Sequence, residues 1–156
     1  SLKNFSGVQR RFEILKQSES LIIVDDYGHH PIEIQATLST AKEVWPERRL
    51  VVIFQPHRYS RTEHQMENFY SAFNDADQLL LLDIYSAGEE VIEGVHSHKI
   101  AEGVKEFGHK NVEYIGVSES VIPHLQKILK SGDIVMTLGA GNIGELSHKL
   151  ASYFND

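Results

Sequence analysis

The sequence predicts an α/β domain: a Rossmann-like, doubly wound, mostly parallel sheet with helices on both faces. Three observations carry this expectation. Short apolar runs rich in branched residues recur along the chain, segments of helical periodicity separate them, and proline, glycine and cap residues fall at the boundaries. At 156 residues with 41% hydrophobic content the chain can bury one sizeable core, so a single domain is expected.

The apolar runs are 21–24, 50–54, 79–82, 112–115 and 134–138. They are brief and continuous rather than alternating, which suits parallel strands buried on both faces. Residues 10–16 precede them and are expected to pair with the first core strand as an antiparallel neighbour. Between the runs, Ile34, Leu38, Ala41 and Trp45 share one helical face, as do Met66, Phe69, Tyr70 and Phe73. Ile100, Ala101, Val104 and Phe107 form a third face, and Val121, Ile122, Leu125, Ile128 and Leu129 a fourth. Pro31 fits a first helical position, Ser60 with Glu63 reads as a capping box, and Gly108 and Gly132 suit helix stops.

Several function classes are disfavoured. A net charge of -7 argues against binding a nucleic-acid backbone, which needs clustered Lys and Arg. Cysteine is absent, so there is neither a disulfide framework nor a thiolate metal site. No apolar run approaches the roughly 20 residues of a membrane helix, and no signal-peptide pattern opens the chain. Residue 1 is Ser, which suits a piece of something longer.

In open α/β sheets ligands bind outside the carboxyl ends of the strands, so the residues after each run are read first. They are Asp25-Asp26-Tyr27-Gly28-His29-His30-Pro31, Gln55-Pro56-His57-Arg58-Tyr59-Ser60-Arg61-Thr62, Asp83-Ile84-Tyr85-Ser86-Ala87-Gly88-Glu89 and Gly139-Ala140-Gly141-Asn142-Ile143-Gly144. A solvated turn explains any one such loop; four at one edge point to a site. Arg58 and Arg61 are the sharpest pair. Arg61 falls in a first helical turn, where the helix dipole disfavours a cation by roughly 0.3–1 kcal/mol. Two guanidiniums beside free helix N–H groups make a receptor for a carboxylate or phosphate. The competing reading is a surface ion pair with Glu63 or another acid, worth little.

One of Asp25 and Asp26 is placed to accept hydrogen bonds from a ribose diol, while the other braces the turn. Tyr27 and His29 then line an adjoining pocket. Adjacent residues rarely ligate one ion well, so His29 and His30 are not expected to hold a metal. The GxGxxG at 139–144 lacks the following strand and acidic residue of a dinucleotide fingerprint. Tight strand-to-helix packing, with room for the backbone to approach a ligand, is expected of the turn that contains Gly139 and Gly141 instead.

Taken with Gly7-Val8-Gln9-Arg10-Arg11-Phe12, these loops resemble the Mur ligase family, specifically the last of its three domains in the alanine-adding members. The resemblance covers essentially all of 1–156. It implies an ATP-dependent, ADP-forming ligase of bacterial peptidoglycan biosynthesis, located in the cytoplasm, that joins L-alanine to UDP-N-acetylmuramate through an acyl phosphate. ATP and Mg2+ would act in the full-length enzyme, and the partners of this segment would be the enzyme's own UDP-sugar and ATPase domains. No GxxxxGK[ST] occurs here, so the segment alone is expected to be inactive. Position by position, the resemblance puts Arg58, Arg61, Tyr27 and His29 around L-alanine and Arg11 and Asp26 on the nucleotide side. His30, His57, Gly139 and Gly141 support the loops. A murein tripeptide ligase shares the His-His-Pro turn, but at 55–61 this chain follows the alanine-adding members. A stand-alone nucleotide- or anion-binding module is the contrasting possibility.

Overall fold

The structure, a computed structural model, describes residues 10–155. Five of the apolar runs become strands: β2 (Leu21–Asp26), β3 (Leu50–Phe54), β4 (Gln78–Leu82), β5 (Val112–Gly116) and β6 (Asp133–Leu138). The segment before them supplies β1 (Glu13–Gln17), antiparallel to β2, and all other pairings are parallel. The sheet order is β1-β2-β6-β3-β4-β5. β2, β3 and β6 are buried along their whole length, as their unbroken apolar character requires. β5 departs from that expectation: it is an edge strand, and Glu113 and Tyr114 stay exposed.

The helices are α1 (Pro31–Val44), α2 (Tyr59–Phe69), α3 (Ser97–Glu106), α4 (Val121–Ile128) and α5 (Ile143–Tyr153). Ile34, Leu38, Ala41, Phe69, Phe73, Ile100 and Val104 pack on one face of the sheet with Ile22, Val52 and Leu81. Val121, Leu125, Ile143, Leu146 and Leu150 pack on the other with Ile23, Val51 and Leu80. The sheet is therefore covered on both sides. The connections through α1, α2 and α3 step towards β5, whereas α4 returns the chain to insert β6 between β2 and β3. The loops after β2 and β3 thus leave towards one face and the loop after β6 towards the other, which opens a crevice at this reversal.

Two boundary expectations are corrected. Ser60 is not a helix cap. Helix α2 begins at Tyr59 after Arg58, whose positive φ of 73° makes the turn, and the Ser60 amide and hydroxyl bond Glu89 from a distant loop. Gly132 does not stop α4, which ends at Ile128; it has φ +97° in the turn entering β6. Gly108, with φ +102° just beyond α3, is the stop expected of it, although Phe107 beside it is exposed.

Candidate functional site

The edge of the sheet is organised around two buried carboxylates at the end of β2. Asp25, 1% exposed, accepts from Arg10 Nε at 2.8 Å and from Thr137 Oγ1 at 2.7 Å. The same guanidinium donates to the Gly139 carbonyl at 2.9 Å and lies 5.5 Å from the centre of the Tyr27 ring. Arg10 thereby ties β2, the glycine-rich turn and the Tyr27 loop together. Asp26, also buried, accepts from the Phe12 amide and the Gly28 amide, each at 2.7 Å. Both aspartates are thus engaged in bracing the turn, and a ribose could reach Asp26 only by sharing its oxygens. Arg11 is exposed on the neighbouring turn.

The glycine-rich turn is shaped by contact. A Cβ on Gly141 would lie 2.7 Å from the Tyr85 ring and 2.8 Å from Gln55 Oε1; one on Gly139 would lie 2.9 Å from the Gln55 carbonyl. Gln55 in turn donates to Asn142 Oδ1 at 2.8 Å. The close packing expected of Gly139 and Gly141 is what the structure has, with Gln55 and Tyr85 as the packed groups.

Next to this turn lies an imidazole cluster. The His29 ring centre is 4.7 Å from that of His30 and 5.8 Å from that of His57, and Tyr27 meets His29 edge-on. His29 Nδ1 is 3.2 Å from the Tyr27 carbonyl, which can only accept, so the proton sits on Nδ1 and Nε2 is bare. His57 has the opposite tautomer. Arg61 Nη1 donates to its Nδ1 at 3.3 Å, which leaves Nε2–H as a donor, and Tyr85 stacks on the ring at 5.6 Å. Burial is the main force pushing both histidines below their ordinary pKa. For His29 the Tyr27 carbonyl and Glu33 oppose it, while Arg61 and His30 add to it. For His57 the neighbouring His29 and the guanidiniums of Arg61 and Arg58 add to it, while Glu89 opposes it. Both rings are neutral near pH 7. His30 precedes α1, and its amide donates to Glu33 Oε1, which also takes the His29 amide.

Arg58 and Arg61 sit at the start of α2, as expected, but the helix N-terminus between them is not open. The Glu89 carboxylate accepts from the Ser60 amide at 3.0 Å and from the Ser60 hydroxyl at 2.5 Å. These two bonds, led by the hydroxyl, hold the Glu89 pKa below its ordinary value. Arg58, nearly half exposed, approaches the same carboxylate at 3.9 Å. The Ser60 amide is therefore taken by Glu89 and is not free to receive another anion. Arg10, Gln55, Tyr85 and Glu89 are the site groups that sequence reasoning left without a role.

The family profile described as "Mur ligase, glutamate ligase domain" matches residues 10–141. The chain belongs to the Mur ligase family. A UDP-N-acetylmuramate--L-alanine ligase of Geotalea uraniireducens is 53% identical over 148 residues, which are 95% of this chain and 32% of that protein. The Mur ligase segment described here thus spans about a third of the curated relatives it matches. Its fold matches the crystal structure of UDP-N-acetylmuramate-alanine ligase from Thermotoga maritima with a TM-score of 0.72 at 30% identity, covering 93% of this chain and 30% of that one. A murein peptide ligase from Psychrobacter arcticus shares the fold with a TM-score of 0.75 at 20% identity, over 92% of this chain and 29% of that one. The Mur ligase domain brings Tyr27, His29, His30, His57, Arg58 and Arg61 to one end of its sheet, with Asp26, Gly139 and Gly141 beside them.

Proposed function

We propose that this domain is the amino-acid-positioning part of an ATP-dependent ligase that joins L-alanine to UDP-N-acetylmuramate, with ADP and phosphate as products. The observation that carries the reading is that Arg58 and Arg61 stand at the start of helix α2 beside His57, whose Nδ1 accepts from Arg61 and whose Nε2–H is left as a donor. These guanidiniums would pair with a zwitterion's carboxylate, with Tyr27 and His29 close to His57 on the neighbouring loop. The choice of alanine rests on the relatives: the curated alanine ligase is 53% identical, whereas the murein peptide ligase is 20% identical and supports the fold alone.

ATP and its magnesium are substrates of the whole protein, held largely by its ATPase domain. Among the described residues no group of three or more His, Asp or Glu could hold a metal ion. On the nucleotide side this domain would contribute Arg11 directly and Asp26 through the Phe12 and Gly28 amides it fixes. Among those residues, no helix is long and apolar enough to cross a membrane. The bacterial cytoplasm is the proposed setting.

The test is steady-state kinetics of Arg58→Lys and Arg61→Lys in the full-length protein. Lysine keeps the charge but loses the planar fork. Loss of one charge-assisted hydrogen bond, about 1.5–3 kcal/mol, raises the alanine KM by about 10- to 150-fold with ATP parameters little changed. Unchanged alanine kinetics in both variants would return these arginines to surface ion pairs.

A further inference from the structure

The proposed reaction requires a step that the arginines cannot perform. An amino acid arrives as an ammonium ion, and a protonated nitrogen has no lone pair with which to attack a carboxyl carbon. We infer that His29 is the base that takes this proton, through Nε2, and so makes the incoming amino acid nucleophilic. The inference rests on the ligase reading above.

The geometry has the parts of a built proton acceptor. A base needs a bare ring nitrogen, a fixed tautomer and a third group that stabilises the charge it acquires. The Tyr27 carbonyl fixes the proton on Nδ1 at 3.2 Å, leaving Nε2 bare. Glu33 Oε1 stands 3.7 Å from Nδ1 and is itself fixed by the amides of His29 and His30 at 3.1 and 3.2 Å. Burial works against ionisation of this carboxylate, but the two amides outweigh it and hold its pKa below the ordinary value, so it is ready to stabilise an imidazolium. His57 cannot take the same part, because Arg61 occupies its Nδ1 and its Nε2 carries hydrogen.

The groups facing His29 pull both ways. Glu33 from α1 favours protonation; Arg61 from α2, neighbouring His30 and burial oppose it; the Tyr27 and His57 rings cover it. Neutral His29 therefore waits unprotonated beside the guanidiniums that receive the carboxylate. In the step, one proton passes from the ammonium to Nε2 and the freed amine attacks the acyl phosphate carbon. The C–N bond forms, the C–O bond to phosphate breaks with its electron pair leaving on phosphate, and the second proton departs with phosphate or water.

The experiment compares two nucleophiles in the full-length protein. Hydroxylamine is largely unprotonated at neutral pH and attacks an acyl phosphate without a base, giving a hydroxamate. His29→Asn keeps a donor for the Tyr27 carbonyl but has no basic nitrogen. It is expected to lower the ratio of alanine ligation to hydroxamate formation by about 10²- to 10⁴-fold, the usual contribution of general base catalysis. Its residual ligation should rise tenfold per pH unit as the free amine fraction grows. Using a ratio within one preparation removes the fraction of folded protein from the comparison, and His29→Gln is the second variant should the first give neither product. A ratio within threefold of the parent protein, an unaltered pH profile, or loss of both products in both variants overturns the assignment. Failure of the underlying reading looks different: the parent protein itself would not ligate alanine.

Discussion

The most direct probe of the site's architecture is the pair Arg10 and Asp25, because it links three segments through one buried carboxylate. The strong contact is Nε to Oδ2 at 2.8 Å; the second, Nη2 to Oδ1 at 3.4 Å, is long for a hydrogen bond. One charge-assisted bond with both side chains under a fifth exposed should couple the residues by about 1.5–3 kcal/mol. Asp25→Ala also strips Thr137 of its acceptor and leaves Arg10 with the Gly139 carbonyl, so its total cost should be about 3 kcal/mol or more. For a chain of this length that lowers Tm by about 6–12 °C. The assay is a double-mutant cycle of Arg10→Ala and Asp25→Ala, read by urea unfolding. Repeating it in 1 M salt should preserve most of the coupling, since the pair is poorly accessible to ions. Coupling below about 0.5 kcal/mol would refute the view that this pair holds the glycine-rich turn in place.

Three further outcomes are expected. Gly103 on α3 has no room for a side chain, since a Cβ would lie 2.0 Å from the Tyr70 ring. Gly103→Ala should destabilise by about 1–3 kcal/mol, and Tyr70→Ala in the same chain should recover part of that loss in a thermal melt. Gly141→Ala should disturb the contact with Tyr85 and Gln55; loss of the Tyr85–His57 stacking would show as an altered His57 ring resonance, and an unchanged resonance would contradict it. His29 and His57 are both held below the ordinary value of 6.5, so the unfolded chain takes up protons first. Their contribution to stability is complete above about pH 6.5 and is lost as pH falls from there through the folded values. The double variant His29→Gln, His57→Gln should flatten the urea midpoint between pH 7 and 5.

What could be read from the sequence was whatever depends on nearest neighbours and burial. β2, β3 and β6 announce themselves because a strand covered on both faces needs an unbroken apolar run, and β5 is blurred because an edge strand tolerates Glu113 and Tyr114. The positions of Arg58 and Arg61 at the start of a helix were legible for the same local reason. Ser60 was misread because Ser-x-x-Glu satisfies a local rule, while the carboxylate that takes its amide comes from Glu89, 29 positions away. Arg10 and Arg11 are adjacent and chemically alike. Only the folded turn shows that Arg10 is the one directed inward to Asp25, where no periodicity distinguishes the two. The glycines of the GxGxxG turn were visible, but Gln55 and Tyr85, which require them to be glycines, arrive from two other loops.

The place of β6 in the sheet also governs how the molecule can be made. Among the described residues it is the last strand in sequence yet lies between β2 and β3, and its first residue, Asp133, pairs with Leu21 more than a hundred positions earlier. Until it arrives, β2 and β3 have no strand between them. The sheet therefore cannot close until the nascent chain has been made through Leu138, and loop closure over so long a span slows the step that closes it. During that interval the facing edges of β2 and β3, mostly branched aliphatics with unpaired amides, are the segments most exposed to aggregation or chaperone capture. The crevice that gathers the imidazoles and guanidiniums comes into being only with that final insertion.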